Sequence, residues 1–328
     1  VNLYEQQVSN RRRTWLIMVV FVALLLLVGA GFDTFFVGVA DGFVPVGSLL
    51  ALVAGSSSAA FSYFSGARAV LLSSRARPLE EVMQTATDDE KLKLRQLENI
   101  VDEMAIASGL PPPDVYVVPD ADPNAFATGR GPGFSSIAVT RGLLDTLNRD
   151  ELQGVVAHEM SHIRNLDVRL MTIVAALAGT VALLSDWARR TMRFGVPARR
   201  GDNRRGSSSG VIGLIILVVW IAAVMFAPLV SRVLAMMVSR RREYLADASA
   251  AELTRNPLGL ASALQTLDDA VEPTPSIHRG SAHLCIADPM GRQVNLKEGF
   301  WADLFASHPP MRSRIDALKA MAFEPVSR

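Results

Sequence analysis

The sequence predicts an α+β chain, mainly helical and integral to a membrane, with a soluble part that contains a small β-sheet. Three observations carry that class. Of 328 residues 50% are hydrophobic and the mean hydropathy is +0.26, both high for a soluble protein. The apolar residues gather into long runs almost free of charge. Between helical stretches, "DVYVVPD" (114–120) and "SSIAVT" (135–140) have the β-branched content of short strands.

From Thr14 to Ala67 there is no Lys or Arg, and the only formal charges are Asp33 and Asp41. Two runs fill this window, Thr14–Phe32 and Phe43–Phe64, so residues 14–64 are expected to form an N-terminal transmembrane helix pair. The first run has 19 residues, about 28 Å as a helix against a hydrocarbon core of about 30 Å. Arg11, Arg12 and Arg13 precede it, and Arg68, Arg75 and Arg77 follow the second run. The positive-inside bias therefore puts both flanks in the cytoplasm and the short acidic connection outside. A cleaved signal sequence is the competing reading of the first run, disfavoured by its length and the lack of a clear small-x-small cleavage site. Two further runs, Leu170–Ser185 and Gly206–Ser231, make residues 170–231 a second hydrophobic pair. The first of these has only 16 residues, about 24 Å of helix, so it spans under strain or dips in. Their connection carries seven arginines (Arg189, Arg190, Arg193, Arg199, Arg200, Arg204, Arg205) against two aspartates. If both runs cross, that loop lies outside against the positive-inside bias, which leaves the crossing of 170–185 open.

Residues 68–169 and 232–328 remain, enough for one compact soluble domain assembled from both sides of the second hydrophobic pair. Within it, residues 78–113 read as a helix that ends at Gly109 before a proline stop. "NAFATGRGPGF" (124–134) reads as a turn between the two strands, because no helix start with Lys-Ser/Thr follows its glycines, as a phosphate cradle requires. A net charge of +1 and a pI near 8.1, without basic and aromatic interleaving, argue against nucleic acid as a partner. The single cysteine, Cys285, excludes an intrachain disulfide and a cysteine-ligated metal cluster, and reads as a structural thiol. Met236 and Met237 read as core or lipid-facing residues.

Asn148 and Glu151 have capping-box spacing, which starts a helix that continues through His162. On that helix His158 and His162 are four apart, so their imidazoles share a face and can reach one metal ion, with Glu159 beside them. His-Glu-x-x-His is what hydrolytic metal chemistry needs: two neutral nitrogens to hold the ion, and a carboxylate to take a proton from water. The blander reading is a solvated helix face with satisfied histidines. A third ligand must come from elsewhere: His278, His283, His308 or a distant glutamate. "SRRREYLADASAAEL" (239–253) offers Glu243, with Asp247 one turn later able to accept the free N–H of a liganding histidine. Taken alone, that pair reads equally as solvent-facing ion pairs with the neighbouring arginines.

"VVAHEMSHIRNLD", "SRRREYLADASAAEL" and "SHPPMRSRIDAL" (307–318), in this order, together with "NAFATG" (124–129), "AVTRGLLDTL" and the leading hydrophobic pair, resemble the HtpX-type membrane zinc endopeptidases over nearly the whole chain. The resemblance implies a zincin-like catalytic domain with one zinc ion per chain held by His158, His162 and Glu243. It implies Glu159 as general base and Asp247 as the partner of a liganding histidine. His308 and Arg314 match positions that face the substrate carbonyl or its oxyanion, and Asn124 the start of the edge strand that pairs with substrate backbone. Bland alternatives are a helix-preceding histidine before Pro309 and Pro310, an exposed helix arginine and an ordinary turn asparagine. The arginine-rich loop is unlike the family's connecting loop. The implied setting is a bacterial inner membrane, crossed several times, with the catalytic domain in the cytoplasm cutting damaged or misassembled membrane proteins. Two rivals stand beside this reading. A prenyl-protein (CaaX-type) endoprotease would need a larger helical chamber than four hydrophobic runs enclose, and a catalytically silent scaffold would keep the fold only to bind clients. Cleavage-site preference and oligomeric state are not legible in the residues.

Overall fold

Two apolar helices lead the chain, α1 (Leu3–Phe32) and α2 (Val46–Ser73). They pack antiparallel. Gly29 lies against the start of α2, where an added Cβ would come within 2.5 Å of the Gly47 carbonyl oxygen, and Gly55 of α2 faces Leu25 and Val22 of α1. The charge of Asp33 inside an apolar stretch has a local cause. Its carboxylate accepts from the backbone N–H groups of Gly47 (2.6 Å) and Ser48 (2.7 Å), satisfying donors that the first turn of α2 leaves unpaired. α2 is long and apolar enough to cross a membrane. Trp15, Leu16, Val19, Leu49, Leu50, Val53 and Phe64 point outward from the pair, as lipid-facing side chains do.

The computed structural model describes residues 3–33, 45–177, 240–270, 284–287 and 309–323. The acidic connection around Asp41, most of the 170–231 hydrophobic pair with its arginine-rich loop, Met236, Met237, His278, His283 and His308 lie outside the described residues.

A short strand β1 (Arg77–Pro78) and helices α3 (Leu79–Thr85) and α4 (Asp88–Ser108) follow. The sequence suggests one helix here. It is divided because Thr87 caps a new one: its hydroxyl accepts from Glu90 N–H while the Glu90 carboxylate accepts from Thr87 N–H. α4 ends where expected, at Gly109 in the left-handed conformation with φ 69°.

Next come β2 (Asp114–Val118), β3 (Ala125–Gly131) and β4 (Phe134–Thr140). The sheet order is β1-β2-β4-β3; β2 runs parallel to β4 and β3 antiparallel to it, so β3 forms an edge. The glycine-bearing stretch expected to be a turn is therefore a strand. Its pairing with β4 overrides the weak strand preference of glycine, and Gly129 approaches so closely that a Cβ would sit 2.4 Å from the Phe134 carbonyl. The outer edge of β3 is met by residues 284–287, through a bridge between Phe126 and Cys285 and an Ile286 N–H to Ala125 carbonyl bond of 3.0 Å.

α5 (Arg141–Thr146) leads to α6 (Arg149–Arg164), which starts at the expected Asn148/Glu151 capping box. α6 is the central helix: Leu152, Val155, Val156, Met160 and Ile163 pack with Leu97 and Ile100 of α4, Ile137 and Val139 of β4, and Leu260 and Leu264 of α9. Each such side chain contributes about 1.5–3 kcal/mol by leaving water. After α6 a helix α7 (167–177) turns back onto the membrane pair, with Leu170, Ile173, Val174 and Leu177 against Ile17 and Phe21. α8 (Arg240–Thr254), α9 (Pro257–Asp269) and α10 (Met311–Phe323) close the domain over α6, with Ile315 and Leu318 of α10 in the same core.

Candidate metal centre

Helix periodicity places His158 and His162 one above the other on α6, and α8 lays Glu243 across them. All three are buried. The two Nε2 atoms are 3.2 Å apart, and the Glu243 oxygens stand 3.7 Å from each of them. Two metal–nitrogen bonds of 2.0–2.1 Å meeting at a tetrahedral angle separate their donor atoms by about 3.3 Å, so the three groups match the edges of one coordination tetrahedron. The charges agree. Among the described residues, four buried carboxylates (Glu159, Asp167, Glu243, Asp247) face two buried guanidiniums (Arg242, Arg314), an acidic excess that suits a divalent cation.

Each histidine has its own carboxylate behind it. Asp247 Oδ1 lies 3.0 Å from His158 Nδ1, and Asp167 Oδ2 lies 3.2 Å from His162 Nδ1. A carboxylate there can only accept, so it keeps the proton on Nδ1 and turns the Nε2 lone pair towards the cation position. Burial disfavours protonation of His158, yet its contacts with Asp247 and Glu243 outweigh this and raise its pKa to about 9. The metal-free pocket thus holds a positive charge as a proton.

Arg314, from α10, is fully buried behind the ligands. It grips Asp247 with two bonds, Nε to Oδ2 at 2.8 Å and Nη2 to Oδ1 at 2.7 Å, and donates from Nη1 to the Ile286 carbonyl at 3.3 Å. Its guanidinium also comes within 3.5 Å of His158 Nε2 and 3.6 Å of Glu243 Oε2. Burial would raise the Asp247 pKa, but the Arg314 charge holds it down to about 2. Glu159 accepts from the Ala127 N–H of β3, while its Oε2 is buried with no hydrogen-bond partner among the described residues. Burial raises its pKa, with the neighbouring histidines opposing. Asn124 is buried at the head of β3 and uses its amide on Ala287, donating to the carbonyl at 3.1 Å and accepting from the N–H at 3.4 Å.

The structure brings His158, Glu159, His162, Glu243, Asp247 and Arg314 into one cluster, with Asn124 farther along β3. Sequence reasoning passed over Asp167, Asn10 and Arg242. Asp167 Oδ1 accepts from Asn10 Nδ2 of α1 at 2.6 Å, lies 3.3 Å from Arg242 Nη1, and Asn10 also donates to the Asn165 carbonyl at 3.0 Å. Asp167 stands inside "HEMSHIRNLD", but five residues after His162 it shares no helical face with it. A left-handed Leu166 (φ 59°) turns the chain and brings the carboxylate back.

Two helices whose imidazoles and carboxylate are spaced to hold one cation, with a glutamate oxygen unbonded among the described residues alongside, fit the class of metal-dependent peptide hydrolases. Residues 91–322 match peptidase family M48, and the chain belongs to that family. Its relatives include the "Protease HtpX homolog" of Limosilactobacillus fermentum, 39% identical over 97% of this chain and 100% of that one. The proteins of the same name from Caldanaerobacter subterraneus subsp. tengcongensis and Streptococcus thermophilus are each 40% identical over 97% of this chain, covering 98% and 100% of theirs. The crystal structure of S. mikatae Ste24p aligns with 96% of this chain and 66% of that chain, at 18% identity and a TM-score of 0.44. The protein is a membrane metalloprotease of the HtpX type, and polypeptides are its substrates.

Proposed function

We propose that the protein is a zinc endopeptidase, multi-pass in the membrane, that cuts damaged or misassembled membrane proteins on the cytoplasmic side. The observation that carries this is the spacing of His158 Nε2, His162 Nε2 and the Glu243 carboxylate, which suits zinc's preference for nitrogen and oxygen ligands in a tetrahedron. A zinc ion bound there supplies a Lewis acid for the scissile carbonyl and lowers the pKa of water towards about 7. Glu159 accepts the proton of the attacking water at Oε2 and returns it to the leaving amine, a transfer favoured by a carboxyl whose burial raises its pKa. Asp247 and Asp167 keep both imidazoles in the liganding tautomer. Arg314, buried and bound twice to Asp247, sets a fixed positive charge 3.6 Å from the liganding carboxylate and acts on the developing oxyanion through its field, and His308 is the group assigned to contact that oxyanion. Substrate backbone is assigned to β3, headed by Asn124, on the part of its edge beyond Ala125 and Phe126, which residues 284–287 already meet. The cytoplasmic orientation is supported by the hairpin, since Arg11–Arg13 before α1's apolar part and Arg68, Arg75 and Arg77 near the end of α2 fall at its catalytic-domain end.

Purified full-length protein and its Glu159→Gln variant, each given an unfolded membrane protein and an unfolded soluble one, test this reading. The variant is expected to keep one zinc per chain and to cleave about 10²–10⁴-fold more slowly. Wild-type rates in the variant would remove the catalytic assignment, and equal cleavage of both substrates would remove the membrane part.

A further inference from the structure

The turn joining β3 to β4 carries an aromatic and cationic group that the chemistry of the site does not use. Phe134 is 66% exposed at its end, and Phe64 of α2 is 67% exposed beside it. The Arg130 guanidinium stacks on both, 3.9 Å from the Phe134 ring centre and 5.6 Å from that of Phe64. Arg169 of α7 donates to the Arg130 carbonyl and lies over Tyr63 at 6.0 Å. The turn is thus fastened to the membrane helix.

Height along that helix gives the group its meaning. Val46 to Phe64 is 18 steps of helix, about 27 Å, nearly the full hydrocarbon core of about 30 Å. If α2 enters at one boundary, Phe64 lies at the other. α1 agrees: Trp15, exposed and next to Arg11–Arg13, falls level with Tyr63, whose ring joins the cluster of Ile17 and Phe21. Trp, Tyr and Phe with arginines just beyond them are what a bilayer boundary selects. We propose that the β3–β4 turn, Arg130 to Phe134, seats in the interfacial layer of the phospholipid bilayer that holds α1 and α2, with Phe134 among the upper acyl chains and Arg130 at the lipid phosphates.

This deepens the proposed function and, for its consequence, rests on it. Ala127, whose N–H bonds Glu159, is three residues from Arg130, at most about 10 Å along the strand. The bond to be cut therefore lies about three extended residues from the membrane exit of a substrate.

The test needs no catalysis, so its failure is separate from failure of the protease reading. Gly133→Cys and Phe134→Cys, each labelled with a maleimide fluorophore in the full-length protein, are placed in phosphatidylcholine and phosphatidylglycerol vesicles with nitroxide-labelled lipid. An added side chain at Gly133 meets nothing within 4 Å, which guards against misfolding at Phe134, and buried Cys285 is checked with unmutated protein. Both labels are expected to lose fluorescence more to a shallow nitroxide than to a deep one, Val53→Cys, exposed and about 10 Å inside the boundary at Val46, to show the reverse, and Ile106→Cys on α4 to lose none. Labels at 133 and 134 that ignore both nitroxides overturn the proposal, whether they are quenched by aqueous iodide or shielded from it by another protein surface.

Discussion

The Asp167 carboxylate decides how His162 presents itself, and Asn10 decides how Asp167 presents itself. Loss of such an outer partner ordinarily costs 10–100-fold in metal affinity or activity, so Asp167→Ala is expected to weaken zinc binding by about that factor and Asn10→Ala by about its lower end. Chelator competition on full-length protein measures both. Ile17→Ala, also buried on α1 but in the apolar contact with α7, serves as the control and is expected to leave the affinity unchanged. A second expectation follows from His158, whose pKa in the metal-free pocket is lifted from 6.5 to about 9. That protonation stabilises the metal-free fold fully below about pH 6.5 and is lost as pH rises through about 9. Because the cation must displace the proton, its apparent affinity should climb about tenfold per pH unit over that window and then level off. A flat profile in the same titration would show that the proton is held elsewhere. The shared face of His158 and His162 was legible because an i, i+4 spacing fixes it whatever the fold, whereas Glu243 was one of several candidates that only the resemblance singled out. Asn10 and Asp167, 157 positions apart, meet only through tertiary packing, which no local pattern encodes.

Helix α6 has two independent supports, its cap and its packing, and they can be separated. Asn148→Ala removes the side chain that accepts from Glu151 N–H and should cost about 1 kcal/mol. Thermal unfolding should show the loss while zinc stoichiometry stays at one, since the cap lies ten residues before His158. A drop in stoichiometry would mean that the helix start and the metal ligands are one cooperative unit. This helix was read correctly because its cap residues and its histidines sit in the same short stretch. β3 was not, since "NAFATGRG" has the glycines of a turn and becomes a strand only by pairing with β4. The division between α3 and α4 was likewise overlooked, although Thr87 and Glu90 carry a capping-box spacing as plain as that of Asn148 and Glu151.

At the scale of the whole molecule, membrane helices and soluble domain are not separable modules. α1 supplies Asn10 to the network behind His162, α7 runs from Asp167 into the apolar contact with Ile17 and Phe21, and the Thr172 hydroxyl accepts from the Gly129 N–H of β3 at 3.0 Å. Anchoring the site so directly explains why histidines and a glutamate stand where an apolar segment begins. Buried Arg314 and Asp247 then fix the opposite side, a charge pair that stays ionised until pH falls through about 2. These contacts converge on one candidate cation position, between His158, His162 and Glu243. Zinc K-edge X-ray absorption on the full-length protein reads that position most directly. Two imidazole nitrogens with carboxylate or water oxygens, all at about 2.0–2.2 Å, are the predicted shell. Three imidazoles, or a sulfur at about 2.3 Å, would place a group other than Glu243 on the metal and contradict it.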